Sequence, residues 1–445
     1  MGVYTFNGQT TGAGLGDFLM GNLSNFTQGN SNFFHSRVNY FTPYVQDAWR
    51  MTSRVTVTYG LRWNPILAMK DDRRPVPDVL NFDIERYKQG IRSSVFVNAP
   101  PGFLYPGDPG FQQHNNGASA AKPKADVFNS YWTDFSPRLG LAWDVEGNGR
   151  TSVRASYALT YVEYPTQFRR GTQIGQAPWG QTVRVLSPQG GFDDPWRGVP
   201  GGNPFPSSLS KDMRWVPFGD YMSSVADLTP TYSQGWNLSL QREVIPGTLV
   251  SANYLGTVII HTNASEPLNN AIYVPGNGDA NGNCFLDGKA TYYKVAPGAA
   301  CSTLANTQDR RKLSFLNPAF KDEIGRFGQL TTGGTQNYHG LVLSVQRHPA
   351  HGISMNANYT WSHCIADFVG RSNAGNSQNV DDTYQDPNNR YRDRANCESD
   401  QRHAFNLTSV AETPKFANTA LRLVGSGWKL SGIAVRLERV GAAEE

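Results

Sequence analysis

Several stretches of this chain alternate apolar and polar residues one by one, a period that marks β-strands with two different faces. In residues 55–63 the apolar set is Val55, Val57, Tyr59, Leu61 and Trp63, while Thr56, Thr58, Gly60 and Arg62 face the other way. Val153, Ala155, Tyr157, Leu159 and Tyr161 form a second such face opposite Arg154, Ser156 and Thr160. Trp236, Leu238 and Leu240 alternate with Asn237, Ser239 and Gln241. Leu341, Leu343 and Val345 precede Gln346-Arg347, and Ile353, Met355, Ala357, Tyr359 and Trp361 oppose Ser354, Asn356, Asn358 and Thr360. About ten strands are predicted, near 39–50, 55–67, 134–146, 151–164, 231–244, 249–261, 338–348, 352–364, 402–412 and 427–437.

The strands come in pairs. Short turns at 51–54, 146–150, 245–248 and 348–352 join them, several with the Gly, Pro or Asn that tight hairpins use. Long polar stretches, about 68–130, 165–230, 262–336 and 366–400, separate the pairs. Short turns on one side and long loops on the other are the asymmetry of an outer-membrane barrel, with the turns periplasmic and the loops extracellular. Trp63, Tyr161, Tyr164, Tyr359 and Trp361 gather near the long loops as an outer aromatic girdle, and Trp49, Trp143 and Trp428 suit other belt positions. A soluble β-sandwich alternates too, but the long loops and the polar second face favour the barrel. The predicted fold class is therefore all-β: an antiparallel transmembrane β-barrel, either small and closed or part of a larger sheet.

Composition agrees with this picture. Of 445 residues, 17% are charged and 12% aromatic, with 45 Gly and 27 Pro. Tyr, Trp and Gly in abundance suit interfacial strands better than helices in water. No apolar run reaches the ~18 residues of a membrane-spanning helix. The mean hydropathy of −0.48 does not exclude a barrel, because alternating strands average out. Net charge is only +4, and the Arg73-Arg74, Arg169-Arg170 and Arg310-Arg311 pairs are isolated, so no nucleic-acid partner is expected. The first residues, MGVYTFNGQTTGAGLG, hold no basic-then-apolar leader.

Candidate chemistry is sparse. The chain has no nucleophile elbow, no HExxH and no P-loop. The acid pairs Asp71-Asp72, Asp193-Asp194 and Asp381-Asp382 are neighbours in extended loops, where adjacent side chains diverge. An enzymatic reading would need His261, His339 or His403 beside a Ser and an acid. His348, His351, His363, Cys364 and Cys397 fit no zinc spacing. Residues 277–283 echo the start of a calcium loop, but the twelfth position is Gly288 rather than Glu, so a plain Asn/Gly loop is the expectation. No catalytic residue, metal or cofactor is expected. Four cysteines, Cys284, Cys301, Cys364 and Cys397, allow three connectivities, and proximity favours Cys284–Cys301 and Cys364–Cys397, each worth roughly 3 kcal/mol. Trp179, Trp196 and Trp215 lie in loops, where they could stack on a ligand ring or pack the loops together.

Residues 42–63 (TPYVQDAWRMTSRVTVTYGLRW) resemble a hairpin of TonB-dependent receptors. Phe135-Ser136-Pro137-Arg138-Leu139-Gly140 with Ala142-Trp143-Asp144, and residues 234–242 (QGWNLSLQR), resemble two further strands of that family. The ordered series Asn337-Tyr338-His339-Gly340-Leu341, NYTWSHCIAD at 358–367, Asp400 to Asn406 and Gly427 to Gly432 is similar to Oar-like outer-membrane transporters. The resemblance runs from about residue 4 to 433. It implies transport of an unidentified extracellular ligand, a place in outer-membrane lipid, and energy from the TonB complex acting through a plug. It also supports the Cys364–Cys397 bond. The signal peptide, regulatory-like domain and plug of the family have no counterpart here, so the chain is expected to be a barrel fragment. The expected division is a lead-in to the barrel over 1–38, a partial barrel over 39–437 and an atypical tail over 438–445. A surface adhesive or structural barrel is the rival reading.

Overall fold

The computed structural model describes residues 2–29, 36–67, 70–71, 80–111, 130–162, 176–199, 201–224, 228–286, 290–303, 306–350, 352–367, 384, 386, 389–397 and 399–439. Tyr164, His351, Gly288, Arg73-Arg74, Arg169-Arg170, Asp72, Asp381-Asp382 and 440–445 lie outside the described residues.

All ten expected strands form, and they are hydrogen-bonded in sequence order: β1 (Tyr44–Arg50), β2 (Val55–Trp63), β3 (Phe135–Asp144), β4 (Thr151–Tyr161), β5 (Tyr232–Ile245), β6 (Thr248–Pro267), β7 (Ile324–Ala350), β8 (Ile353–Ala366), β9 (Gln401–Glu412) and β10 (Lys429–Arg439). Every neighbouring pair along this path is antiparallel. The sheet is an up-and-down wall that does not close on itself among the described residues. Its short turns need backbone that only glycine adopts cheaply. Gly247 ends the β5–β6 turn at φ 77°, and Gly352 ends the β7–β8 turn at φ 78°. A Cβ on Gly352 would also meet the Glu412 carbonyl oxygen at 2.5 Å.

The register carries the alternation across the wall. Tyr59 pairs with Leu139, Leu139 with Tyr157, and Tyr157 with Trp236. Leu238 pairs with Tyr254, Tyr254 with Leu341, and Leu341 with Trp361. One face is therefore largely apolar, and it is exposed rather than covered: Leu139 at 56%, Leu238 at 52%. The other face carries Thr58, Ser156, Asn237, Asn253 and Asn358. An exposed apolar face backed by a polar one is what a barrel wall shows to lipid and lumen respectively. Trp49 and Trp143 fall at the short-turn end of this outward face, and Trp428 lies just before β10 at the same end. Tyr359 and Trp361 lie near the middle of β8 rather than at its long-loop end, so they do not form the expected outer girdle. β10 departs from the rule, because Ile433 and Val435 pair with Thr408 and Asn406 on the polar side.

Two strands run longer than predicted. β6 spans 20 residues and β7 spans 27, against the ~9–11 that cross a membrane. Their extra length pairs above the wall, Ser265 with Leu330 and Pro267 with Gly328, and Gly219–Ser224 adds a parallel strand along Ile324–Leu330. A separate small sheet joins Gly2–Thr5, Asn25–Gly29 and Thr182–Leu186.

Candidate functional site

Residues from the first three long loops build one apolar core at the extracellular rim: Tyr87, Phe96, Phe103 and Tyr105 from the first, Trp179, Met213 and Tyr221 from the second, and Leu313 ahead of Ile324 and Phe327 of β7. Aromatic rings interlock edge to face, Phe103 on Tyr221 at 4.7 Å, Phe82 on Phe327 at 4.9 Å and Phe96 on Tyr105 at 4.9 Å. Burial drives the Tyr105 and Tyr221 hydroxyls well above their ordinary range, and burial followed by the Glu323 charge pushes Tyr87 up to about 12.

Polar anchors fix this cap. Asp83 caps the short helix Ile84–Lys88 by accepting from the Glu85 and Arg86 amides. Asp108 is fully buried, and its carboxylate accepts from Ser93 Oγ at 2.6 Å, the Ser94 amide at 2.6 Å, Ser94 Oγ at 2.7 Å and the Tyr105 amide at 2.9 Å. These donors replace the water a buried carboxylate would otherwise lack. Gln176 donates to the Met222 carbonyl at 2.8 Å and accepts from its amide. Asn269 donates to the Gly325 carbonyl at 2.7 Å and accepts from the Leu313 amide at 2.9 Å. Arg92 grips Glu323 with both guanidinium ends, at 2.6 and 2.8 Å, and also donates to the Ala99 carbonyl at 2.7 Å. That bidentate pair ties the first loop to the foot of β7.

A cleft of about 510 Å³ opens beside that pair, bordered by Asn98, Asp212, Arg214, Trp215 and Asp322 as well as Arg92 and Glu323. Each of the first three loops contributes to it. It offers two guanidinium groups, three carboxylates and the edge of an indole within one depression.

The residues singled out in the sequence fall as follows. Trp179 is buried against Tyr105 at 5.6 Å, inside the cap. Trp215 packs on Phe96 at 5.8 Å and borders the cleft. Trp196 lies elsewhere, edge-on to Phe26 at 5.6 Å with its Nε1 donating to Gln28. Trp179 and Trp215 thus share the Tyr105 ring within one core, while Trp196 stands apart from both. Cys284 bonds Cys301 and Cys364 bonds Cys397. The first bond closes a small core with Val274 in the third loop, and the second holds the fourth loop to the top of β8. Asp279 accepts from the Asn281 and Asn283 amides and from Asn283 Nδ2, so its carboxylate closes the Asn/Gly loop; the hydrogen bonds from Asn283 chiefly hold its pKa down. His339 Nδ1 meets Tyr254 Oη at 2.8 Å and His403 Nδ1 meets Tyr359 Oη at 2.7 Å, both on the outward face. His261 lies edge-on to Tyr232. Among the described residues, no three His, Cys, Asp or Glu side chains gather to hold a metal. Arg92, Asp212, Asp322 and Glu323 were invisible as a set in the sequence, because each stands in a loop with no periodic signal.

A strand wall with a lipid-facing apolar surface, belted by aromatics and crowned by long loops, defines an outer-membrane β-barrel domain. The profile of the outer membrane beta barrel domain matches residues 1–436; the chain belongs to that family and resides in the outer membrane. Among solved structures it is similar to FauA, the alcaligin outer membrane receptor of Bordetella pertussis, at 12% identity and a TM-score of 0.34, covering 94% of this chain and 39% of that one. It is similar to the outer membrane transporter YddB of Escherichia coli at 10% identity and a TM-score of 0.38, covering 89% and 37%. The pyoverdine outer membrane receptor FpvA of Pseudomonas aeruginosa gives 11% identity and a TM-score of 0.33, covering 89% and 30%. The chain therefore spans less than two fifths of each of these proteins. The comparison with curated proteins finds no match.

Proposed function

We propose that this chain is barrel wall and extracellular cap of a TonB-dependent receptor of the Oar-like kind, taking up a ligand from outside the cell. One observation supports this most: three long loops share an aromatic core beside one polar cleft at the rim. Loops packed in this way lower the ordering cost of capturing a ligand. Trp215 is the tryptophan placed to touch that ligand, with Arg92, Asp212 and Arg214 as hydrogen-bonding neighbours. In this reading residues 1–38 lead into the wall, 39–437 form part of the barrel and 438–445 are a tail. The TonB complex would act through a plug supplied by the rest of the receptor.

Uptake tests this directly. Labelled ferric chelates and oligosaccharides are offered to cells producing the receptor that carries this chain. Uptake that stops on loss of TonB and falls roughly 10-fold in Trp215→Ala, the scale of one buried aromatic anchor, fits the proposal. Surface binding without uptake, indifferent to TonB, favours the rival adhesive or structural barrel.

A further inference from the structure

The link between β9 and β10 differs from every other connection on the short-turn side. The β5–β6 turn takes two residues, 246–247, whereas this link takes residues 413–428 and folds. The Thr413 amide donates to the Trp428 carbonyl, and the Trp428 amide donates to Thr413 Oγ1, closing the base of the link. Ser426 Oγ accepts from the Phe416 amide and donates to the Pro414 carbonyl. Between them stands the helix Thr419–Gly425. Phe416 packs over Gly425, yet Leu423 and Val424 point outward at 80% and 75% exposure. Trp428 donates its indole N–H to the Val424 carbonyl at 2.6 Å, which leaves its ring beside them.

We infer that residues 413–428 form an amphipathic clip that seats in the headgroup region of the periplasmic leaflet, with anionic phospholipid as its partner. Three observations converge on that occupant. The clip continues an established lipid surface: Leu430 pairs with Ala411 and Ala411 with Ile353, a row on the outward face of the wall. Its exposed large apolar groups are Phe416, Leu423, Val424 and Trp428, which lie well at a membrane interface, where an indole keeps a polar edge toward water. Its charge is one-sided, because the link carries Lys415 and Arg422 and no carboxylate. The one acid at its base, Glu412, is held by Lys429. Cations beside an apolar helix face suit an anionic bilayer surface.

The test uses the full chain in phosphatidylethanolamine vesicles with and without phosphatidylglycerol. The native cysteines are bonded, so Val424→Cys can be labelled alone with an environment-sensitive dye, and Asn148→Cys in the exposed β3–β4 turn serves as the water-facing reference. At position 424 the emission should be blue-shifted, quenched by spin-labelled phospholipid and shielded from iodide, the reverse of position 148. Adding Lys415→Glu and Arg422→Glu should raise iodide access at 424 most in the vesicles that contain phosphatidylglycerol. Iodide quenching at 424 equal to that at 148 overturns the inference, and is also the outcome if the clip waits for a periplasmic protein. The unlabelled native chain gives a second measurement: trypsin should cut after Arg54 and Arg150 well before Arg422, and equal cutting overturns it.

Discussion

The wall and the cap solve opposite problems with one chain. In the wall large apolar residues stand on the outside: Leu238, Leu343 and Trp361 are all exposed. Between neighbouring strands the backbone groups are satisfied strand to strand, the condition for lying in lipid, and among the described residues only the outer edges of β1 and β10 lack a strand partner. In the cap the order is that of a water-soluble domain, with Tyr87, Phe103 and Tyr105 fully buried and the buried Asp108 carboxylate supplied with hydrogen-bond donors. Stability in the cap therefore rests on side-chain packing, and stability in the wall on hydrogen-bond ladders and the surrounding lipid. The two should fail independently.

Phe103→Ala is the largest test of that independence. It empties the centre of the cap and should cost about 3–5 kcal/mol there. Hydrogen exchange should quicken across 80–111 and 213–224 while the wall keeps its heat-resistant band in gels. Loss of both together would show that cap and wall form one cooperative unit. Leu238→Arg makes the converse cut, about 2–4 kcal/mol for a cation on the lipid face near mid-strand. The adjacent Ser239→Arg, on the polar face, should be close to silent. Equal damage from both would overturn the assignment of faces.

This division also explains what could be read from the sequence. The wall was legible because a period of two runs through β2, β4, β5, β7 and β8, and the register then follows from matching apolar faces. The β7 extension over 324–337 was not, because Gly325, Gly328, Gly333 and Gly334 interrupt any alternation. The disulfides were legible from proximity within single loops. The cap core was not, since its partners are far apart in the chain: Arg92 and Glu323 are separated by 231 positions. Nothing local distinguishes Trp179, which packs inward, from Trp215, which borders the cleft.

At the seam between the regions sits Asp134, buried just ahead of β3. Burial raises its pKa to about 6, from an ordinary 3.8. The folded state therefore holds the proton more tightly than the unfolded one. Its stabilising contribution is complete below about pH 3.8 and is lost as pH rises through about 6. Between pH 5 and pH 7 the seam should lose roughly 1–2 kcal/mol, read as a lower melting temperature. In Asp134→Asn this slope should vanish. A slope that survives would move the titration to another group.

The smallest effect is the most specific to the cap. Arg92 and Glu323 are each about one-third exposed, at 33% and 30% for their side chains, so solvent screens much of their attraction. A double-mutant cycle with Arg92→Ala and Glu323→Ala should give a coupling of about 1 kcal/mol, above a typical surface pair because the contact is bidentate. The readout is protease resistance of the cap, since the pair touches no membrane strand below the rim. A coupling near zero would mean that the aromatic core alone joins the first loop to β7. The cleft would then have a soft wall on its Arg92 side, and a ligand bound there would itself have to order that wall.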